Sequence, residues 1–313
     1  MGLGGGIGSR RIPGGRGGEK KEGERGRRGG REAEESDKRE DMSGHVLVTG
    51  GAGYLGSCLV PLLLDRGWKV TVFDTFSWGL TPLLPVAPRL RLIRGDVRDA
   101  AALRDALRGV DAVVHLAALV GYPACSRKPL LAEDVNVGGT KTLVAQLSPG
   151  QRLVFASTGS CYGAIGPAPC TEQTPLSPLS VYGRTKAEAE AVVLASGGVA
   201  LRLATVFGVA PRLRLDLLLN DFTRRALEDG ALDVYEPGFW RSMLHLVCDR
   251  TGSELHLGAQ GYDEDRRNYR VSHDRIRNLG FKASISLEEG LDELLRILPL
   301  LAPHELEQAT NAR

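Results

Sequence analysis

A short apolar run that breaks into glycines three residues apart, and at once becomes a helix, leaves a chain few folds to choose from. Here that run is Val46-Leu-Val-Thr-Gly-Gly-Ala-Gly-Tyr-Leu-Gly56, and Leu55, Leu59, Leu62 and Leu63 continue it at helical spacing. Strand, tight turn and helix in that order are the context in which a glycine motif binds a dinucleotide. Gly50 permits the sharp turn, Gly53 lets backbone approach a pyrophosphate, and Gly56 lets helix and strand pack closely. The N–H groups of the first helical turn, at Tyr54, Leu55 and Gly56, then face the phosphates, and the helix dipole favours their negative charge. The spacing is Gly-x-x-Gly-x-x-Gly, not the commoner Gly-x-Gly-x-x-Gly, so the next strand carries weight. It is expected over residues 68–73 and ends in Asp74. An acidic residue roughly 20 positions past the glycines accepts hydrogen bonds from an adenosine ribose. Its charge repels a 2′-phosphate, which favours NAD over NADP.

At 313 residues there is room for one large α/β domain, or one with a smaller companion. The net charge of +2 gives no reason to invoke nucleic acid or a membrane surface, and no apolar run reaches the roughly 18 residues of a membrane helix. Five scattered cysteines, Cys58, Cys125, Cys161, Cys170 and Cys248, show no Cys-x-x-Cys spacing, and no metal is called for. Their odd number points to reduced thiols and a cytoplasmic setting. Residues 1–42 are different in kind: Gly, Arg, Lys and Glu with little apolar content. Such a stretch cannot bury enough surface to offset its conformational entropy, so it is expected to be a disordered tail. The glutamates interspersed among its arginines argue against RNA binding.

From residue 43 the βα alternation is regular. A helix is expected over 55–66, an irregular loop with Pro82, Pro85 and Pro88 over 75–88, and a strand over 89–94 ending at Gly95-Asp96-Val97. A helix over 100–107, a strand over 112–116, a helix over 133–147 and a strand over 153–156 follow. Strands apolar on both faces fit a parallel sheet covered by helices. The fold class is therefore α/β, a Rossmann-like doubly wound sheet over 43–208, with a smaller C-terminal subdomain over 209–313. Asp96, at a strand end, is placed to bond an adenine, or to sit as a solvated turn residue.

The chemistry lies in the next two segments. Phe155-Ala-Ser-Thr-Gly-Ser-Cys-Tyr-Gly163 leaves a strand end bearing hydroxyls, and Tyr182-Gly-Arg-Thr-Lys186 opens a helix. Tyrosine and lysine four apart share one helix face. A phenol of ordinary pKa near 10 is a poor base, but a neighbouring ammonium favours its phenolate. Thr158 can bond the reacting oxygen and pass the proton.

With Thr49–Gly56, Asp74, Gly95-Asp-Val-Arg-Asp99, His115-Leu-Ala-Ala118, Asn136-Val-Gly-Gly-Thr140, Ser157-Thr158, Tyr182-x-x-x-Lys186 and Leu201-Arg-Leu-Ala-Thr-Val-Phe-Gly208, the chain resembles an extended short-chain dehydrogenase/reductase of the NAD-dependent epimerase/dehydratase group. The resemblance runs over about 44–246 and again over 262–297. It implies that Tyr182 is the base, that Lys186 holds the nicotinamide ribose and steadies the phenolate, and that Thr158 is their hydroxyl partner. It places Val97 with Asp96 at the cofactor, lines the cofactor with the backbone of Leu116, Ala117 and Ala118, and sets Asn136 at the nicotinamide end. His115 reads as a packed strand histidine. The substrate implied is a nucleotide sugar, with Ser160, Asn220 and Arg241 as contacts and Arg241 clamping the diphosphate. The assembly is left open, a homodimer included.

Related dehydratases and decarboxylating enzymes carry acidic residues just after the threonine, where this chain has Gly159 and Ser160. Epimerisation at sugar C4 needs no such acid. Against the family pattern, roughly forty residues are expected to be missing between His245 and Thr251, which shortens the substrate side. Three functions stay open: a nucleotide-sugar 4-epimerase, an impaired NAD-binding form of one, or a steroid- or flavonoid-type reductase that has no need of Arg241.

Overall fold

The computed structural model describes residues 44–163, 168–235, 241–258 and 270–311; the tail expected over 1–42 lies outside them. Six strands make the main sheet: β1 (His45–Thr49), β2 (Lys69–Asp74), β3 (Leu90–Arg94), β4 (Ala112–His115), β5 (Arg152–Thr158) and β6 (Val199–Leu203). They are parallel and lie in the order β3-β2-β1-β4-β5-β6. This is the doubly wound arrangement expected of the sequence, and its order reverses between β1 and β4.

Alternation within the strands decides what each face buries. Leu47, Phe73, Val113, Leu153 and Phe155 form one core with Leu103, Leu143, Ala189 and Val193. The last four come from α2 (Ala100–Ala106), α5 (Gly139–Gln146) and α6 (Val181–Ala195). Val46, Val48, Val70 and Val72 face the opposite side, where α1 (Tyr54–Asp65) contributes Val60 and Leu64. Helices on both faces explain strands that read apolar throughout.

Two stretches differ from the sequence expectation. The proline-rich loop holds a 3₁₀ helix, Thr81–Arg89, with Pro82 at its start and Pro85 and Pro88 inside. Proline's fixed φ is compatible with a tight helical turn, and three-residue spacing keeps these prolines on one side of it. The helix expected over 133–147 is instead assembled from pieces. Past α3 (Tyr122–Arg127) and α4 (Pro129–Ala132), a π turn at Glu133–Gly138 precedes α5 and buries Asn136 and Val137.

Beyond β6 come α7 (Leu218–Asp229), β7 (Ala231–Tyr235), α8 (Arg241–Thr251), β8 (Glu254–Gly258), α9 (Asp274–Asn278), α10 (Leu287–Ile297) and α11 (Pro303–Gln308). The strands β7 and β8 pair in parallel, and Leu219, Phe222, Leu232, Leu244, Val247 and Leu291 pack into a core of their own. The interval expected to lack elements, from His245 to Thr251, lies within the unbroken helix α8 and leads directly into β8. A short helix and strand thus close on β7 where the sequence suggested a gap.

Candidate active site

The carboxyl ends of β1 and β4 diverge at the switch point, and a cleft of about 570 Å³ opens there. Its floor is the glycine turn. Gly50 has φ +72°, and a Cβ there would lie 2.6 Å from the backbone N of Ala117, so the turn closes on the β4 exit only without a side chain. Gly53 caps α1 with no side-chain acceptor. The first N–H groups of that helix therefore have no side-chain cap competing with an anion. Gly50, Gly53, Tyr54, Leu55, Gly56, Asp74, Asp96, Val97, Leu116, Ala117 and Ala118, the residues offered for the cofactor, all line the cleft.

Asp74 stands at the end of β2. Its Oδ2 accepts from the Ala52 N–H at 3.0 Å and its Oδ1 from the Phe76 N–H at 2.8 Å, which leaves one lone pair on each oxygen for hydroxyl donors. Asp96 is engaged otherwise. Arg98 grips its carboxylate through Nε at 2.9 Å and Nη2 at 2.7 Å, and this hydrogen-bonded guanidinium holds the carboxyl below its ordinary range. What the sequence offered as an adenine contact is, in the fold, first the anchor of a cleft-lining arginine.

The other end of the cleft carries Ser157, Thr158, Tyr182 and Lys186. Ser180 caps α6 by accepting from the Gly183 N–H at 3.1 Å. Gly183 lets the helix start approach the turn after β5, since a Cβ there would come 2.7 Å from the Ser160 carbonyl. Tyr182 is thereby brought to Thr158. Burial pushes its phenol up to about 12, against the hydrogen bond from Thr158, which lowers it. Lys186 is buried with its Nζ 3.8 Å from the centroid of the Phe155 ring. Burial pushes it down to about 7, opposed by Cys161, Glu190 and Cys125.

A second chamber, of about 380 Å³, opens on the same Thr158 and Tyr182. Ser160, Arg127, Arg214 and Asp216 line it, with the apolar walls Val120, Leu203, Leu217 and Leu218. Cleft and chamber adjoin, and Thr158 and Tyr182 line both.

Three expected contacts are absent from the lining of both cavities. Asn220 is fully buried, and its amide serves the Gly208 N–H (2.8 Å), the Gly208 carbonyl (3.2 Å) and the Arg214 carbonyl (2.8 Å). It braces the loop after β6 and lines neither cavity. Asn136 likewise braces. It bonds the Leu119 N–H and carbonyl and Thr185, tying the β4 exit to the helix of Tyr182. Arg241, at the exposed start of α8, is absent from the lining of both cavities. His115 is fully buried between Thr49 Oγ1 (2.7 Å) and Thr140 Oγ1 (3.0 Å), and burial, then Lys186, pushes it down to about 3. It is a packed strand histidine.

Sequence spacing did not point to Arg212, Arg214, Trp78 and Asn311, all of which line the cleft. The clue available was Arg212-Leu-Arg214, two arginines separated by a leucine in an otherwise apolar run, which is costly to place unless their heads meet something charged.

The residues present suit a dinucleotide. A helix N-terminus faces the diphosphate position, Asp74 offers acceptors at the ribose position, and a tyrosine–lysine pair closes the far end. In sequence the chain is 41% identical over 161 residues to UDP-glucose 4-epimerase 4 of Oryza sativa subsp. japonica, covering 47% of this chain and 43% of that one. It spans about half the length of the curated relatives it matches. In fold it resembles the dTDP-glucose 4,6-dehydratase DesIV of Streptomyces venezuelae, solved with NAD, at a TM-score of 0.70 and 27% identity, covering 80% of this chain and 96% of that one. MoeE5, solved with UDP-glucuronic acid and NAD, gives a TM-score of 0.70 at 26% identity, over 81% and 98%. A sequence profile of the NAD-dependent epimerase/dehydratase family matches residues 46–245, a span that takes in the glycine turn, Asp74, Thr158, Tyr182 and Lys186. The chain belongs to the NAD-dependent epimerase/dehydratase family.

Proposed function

We propose that this chain binds NAD in the switch-point cleft and epimerises a nucleotide sugar at C4. The observation that carries this reading is the meeting of cleft and chamber at Thr158 and Tyr182, which gives a sugar hydroxyl a place beside both oxygens. When bound, NAD supplies the hydride acceptor and a positive charge beside the phenol. Tyr182 takes the hydroxyl proton, Thr158 holds the same oxygen, and Lys186 favours the phenolate while its ammonium is protonated. Gly159 and Ser160 follow Thr158 with no carboxylate, so nothing there removes a further proton from the oxidised sugar. Simple return of the hydride to the other face of the ketone is the chemistry left.

Residues 209–313 supply the substrate side of this assignment, through Arg214, Asp216, Leu217 and Leu218 in the chamber wall. Ser160 lines the chamber, whereas Asn220 acts through the loop it braces. Cytoplasmic residence fits the five free cysteines, and among the described residues no helix is long and apolar enough to cross a membrane. A homodimer belongs to the same proposal and is checked by the mass in solution.

One observation favours the impaired-form alternative. Arg241, the residue expected to clamp a diphosphate, stands exposed away from the chamber. The deciding experiment incubates the NAD-loaded protein with UDP-, GDP- and dTDP-sugars and follows the C4 epimer. Turnover that Tyr182→Phe abolishes supports the epimerase. Binding of NAD with no sugar turned over across the panel supports the impaired form.

A further inference from the structure

Arg212 is 6% exposed, yet among the described residues no carboxylate lies within ion-pair distance of it. Its neighbour Arg214 holds Asp216 through Nη2 at 2.7 Å and Nε at 3.1 Å, and Arg98 holds Asp96. The Arg212 guanidinium has neutral acceptors instead: the Leu213 carbonyl, the Thr310 carbonyl at 3.5 Å and Asn311 Oδ1 at 2.7 Å. Its Cζ sits 4.4 Å from the centroid of the Trp78 ring. A guanidinium keeps its charge at any working pH. A buried charge without a counter-charge is strongly disfavoured unless something anionic completes it.

Its position says which anion. The backbone N–H of Arg212 donates to Ser57 Oγ at 3.2 Å, and Ser57 lies in the first turn of α1, its own N–H bonded to the Gly53 carbonyl. Trp78 belongs to the loop that follows Asp74 at the end of β2. Arg212 is thus fastened to both walls of the glycine cradle, α1 on one side and the β2 loop on the other, and it lines the cleft between them. The N–H groups at the start of α1 and the Arg212 side chain line the same cleft, and an anion held at that helix end would meet both.

We propose that Arg212 is the counter-cation of the diphosphate of a dinucleotide bound on the Gly50–Gly56 turn, held over it by Trp78 and by residues 310–311. The proposal rests on the cofactor assignment of the cleft and is independent of which sugar, or whether any sugar, is turned over. Arg212 is remote from Tyr182 and Thr158 in role: it binds the cofactor's charge and takes no part in proton transfer.

The test measures calorimetric affinities of wild type, Arg212→Gln and Arg212→Lys for NAD, ADP and adenosine, with melting temperatures of the ligand-free proteins. Arg212→Gln should weaken NAD and ADP by about 10- to 100-fold, the scale of a hydrogen bond to a charged group. Adenosine, which has no phosphate, should bind all three proteins alike, and Arg212→Lys should recover part of the loss. Added salt should weaken NAD binding less in Arg212→Gln than in wild type, because one phosphate-facing cation is gone. The ligand-free Tm of Arg212→Gln should not fall, since the variant removes a buried charge that burial and Arg214 disfavour and that Asp216 offsets only in part, without a direct ion pair. Unchanged NAD affinity in Arg212→Gln overturns the proposal, as does a wild type that fails to bind NAD. Parallel weakening of adenosine with a lowered Tm would also overturn it, by making Arg212 a structural brace. Should Arg212→Gln not fold, Arg212→Lys decides: equal loss for ADP and adenosine rejects the clamp, and loss confined to ADP upholds it. Normal NAD binding without epimerisation would leave the clamp standing and reject the epimerase alone.

Discussion

Lys186 and Tyr182, one turn apart on α6, hold protonation states that the ligand-free site sets against catalysis. The lysine is pushed down to about 7 and the tyrosine up to about 12, so near neutrality the phenol is protonated and much of the ammonium has lost its proton. Because the folded lysine releases its proton at a lower pH than an unfolded one near 10.4, the unfolded chain binds more protons between about 7 and 10. Stability of the ligand-free protein should therefore rise over that window. The tyrosine has the opposite sign: its raised pKa makes the folded state hold the proton longer, so stability falls from about 10 to 12. A Tm-against-pH series should show the rise, and Lys186→Met should flatten it. His115 adds an acid limb, since a buried neutral imidazole loses stability as pH drops below about 6.5. In activity, Tyr182→Phe should cost at least about 100-fold, the usual scale for a general acid–base group, with NAD affinity kept. Lys186→Ala should weaken both, and retention of full NAD affinity would argue against a ribose contact.

The elements that carry these groups are tied by one ion pair. Glu190 lies one helical turn past Lys186 on α6 and is 4% exposed; Arg202 of β6 grips it at 2.6 Å and is 15% exposed. Ser157, next to Thr158 on β5, donates to the same carboxylate at 2.5 Å. One carboxylate thus fixes the tyrosine helix against the threonine strand. Removing one member of a buried pair costs about 3–5 kcal/mol, because the other is left uncompensated. Glu190→Ala should therefore destabilise strongly in urea melts. Glu190→Met with Arg202→Leu should cost much less, and equal losses would show that packing, and not charge, is what matters there.

Legibility in the sequence followed chain distance. The glycine turn, Asp74 and the Tyr182–Lys186 spacing were readable because each is a local pattern with one physical use. Arg212 and Asn311 meet at the cleft from 99 residues apart, and nothing local marks either. Asn220 was named only through the family resemblance, as a substrate contact, and its direction, into the backbone of its own chain, was not legible. The proline-rich loop misled because three breakers in a row read as disorder of structure, whereas their spacing suits a tight helix.

At the scale of the molecule, ligands should report on the two cavities separately. NAD at roughly 100 times its Kd should stabilise the fold by about 2.7 kcal/mol by mass action, seen as a rise in Tm. A nucleotide sugar should add a second rise only with NAD present, if the chamber binds it beside the cofactor. A sugar-dependent rise without NAD would mean that the chamber forms independently of the cleft. The sheet order has a consequence for how the protein is made. β1 is the first described strand in the chain and sits inside the sheet, between β2 and β4. Its partner on the second edge arrives late: Thr49 pairs with His115, 66 residues on. Until β4 is synthesised, Val46, Leu47 and Val48 have one edge open and apolar side chains on both faces, in a segment strong in β propensity. Nascent chains stalled before residue 112 should consequently aggregate or recruit chaperones, while chains released after β5 should not.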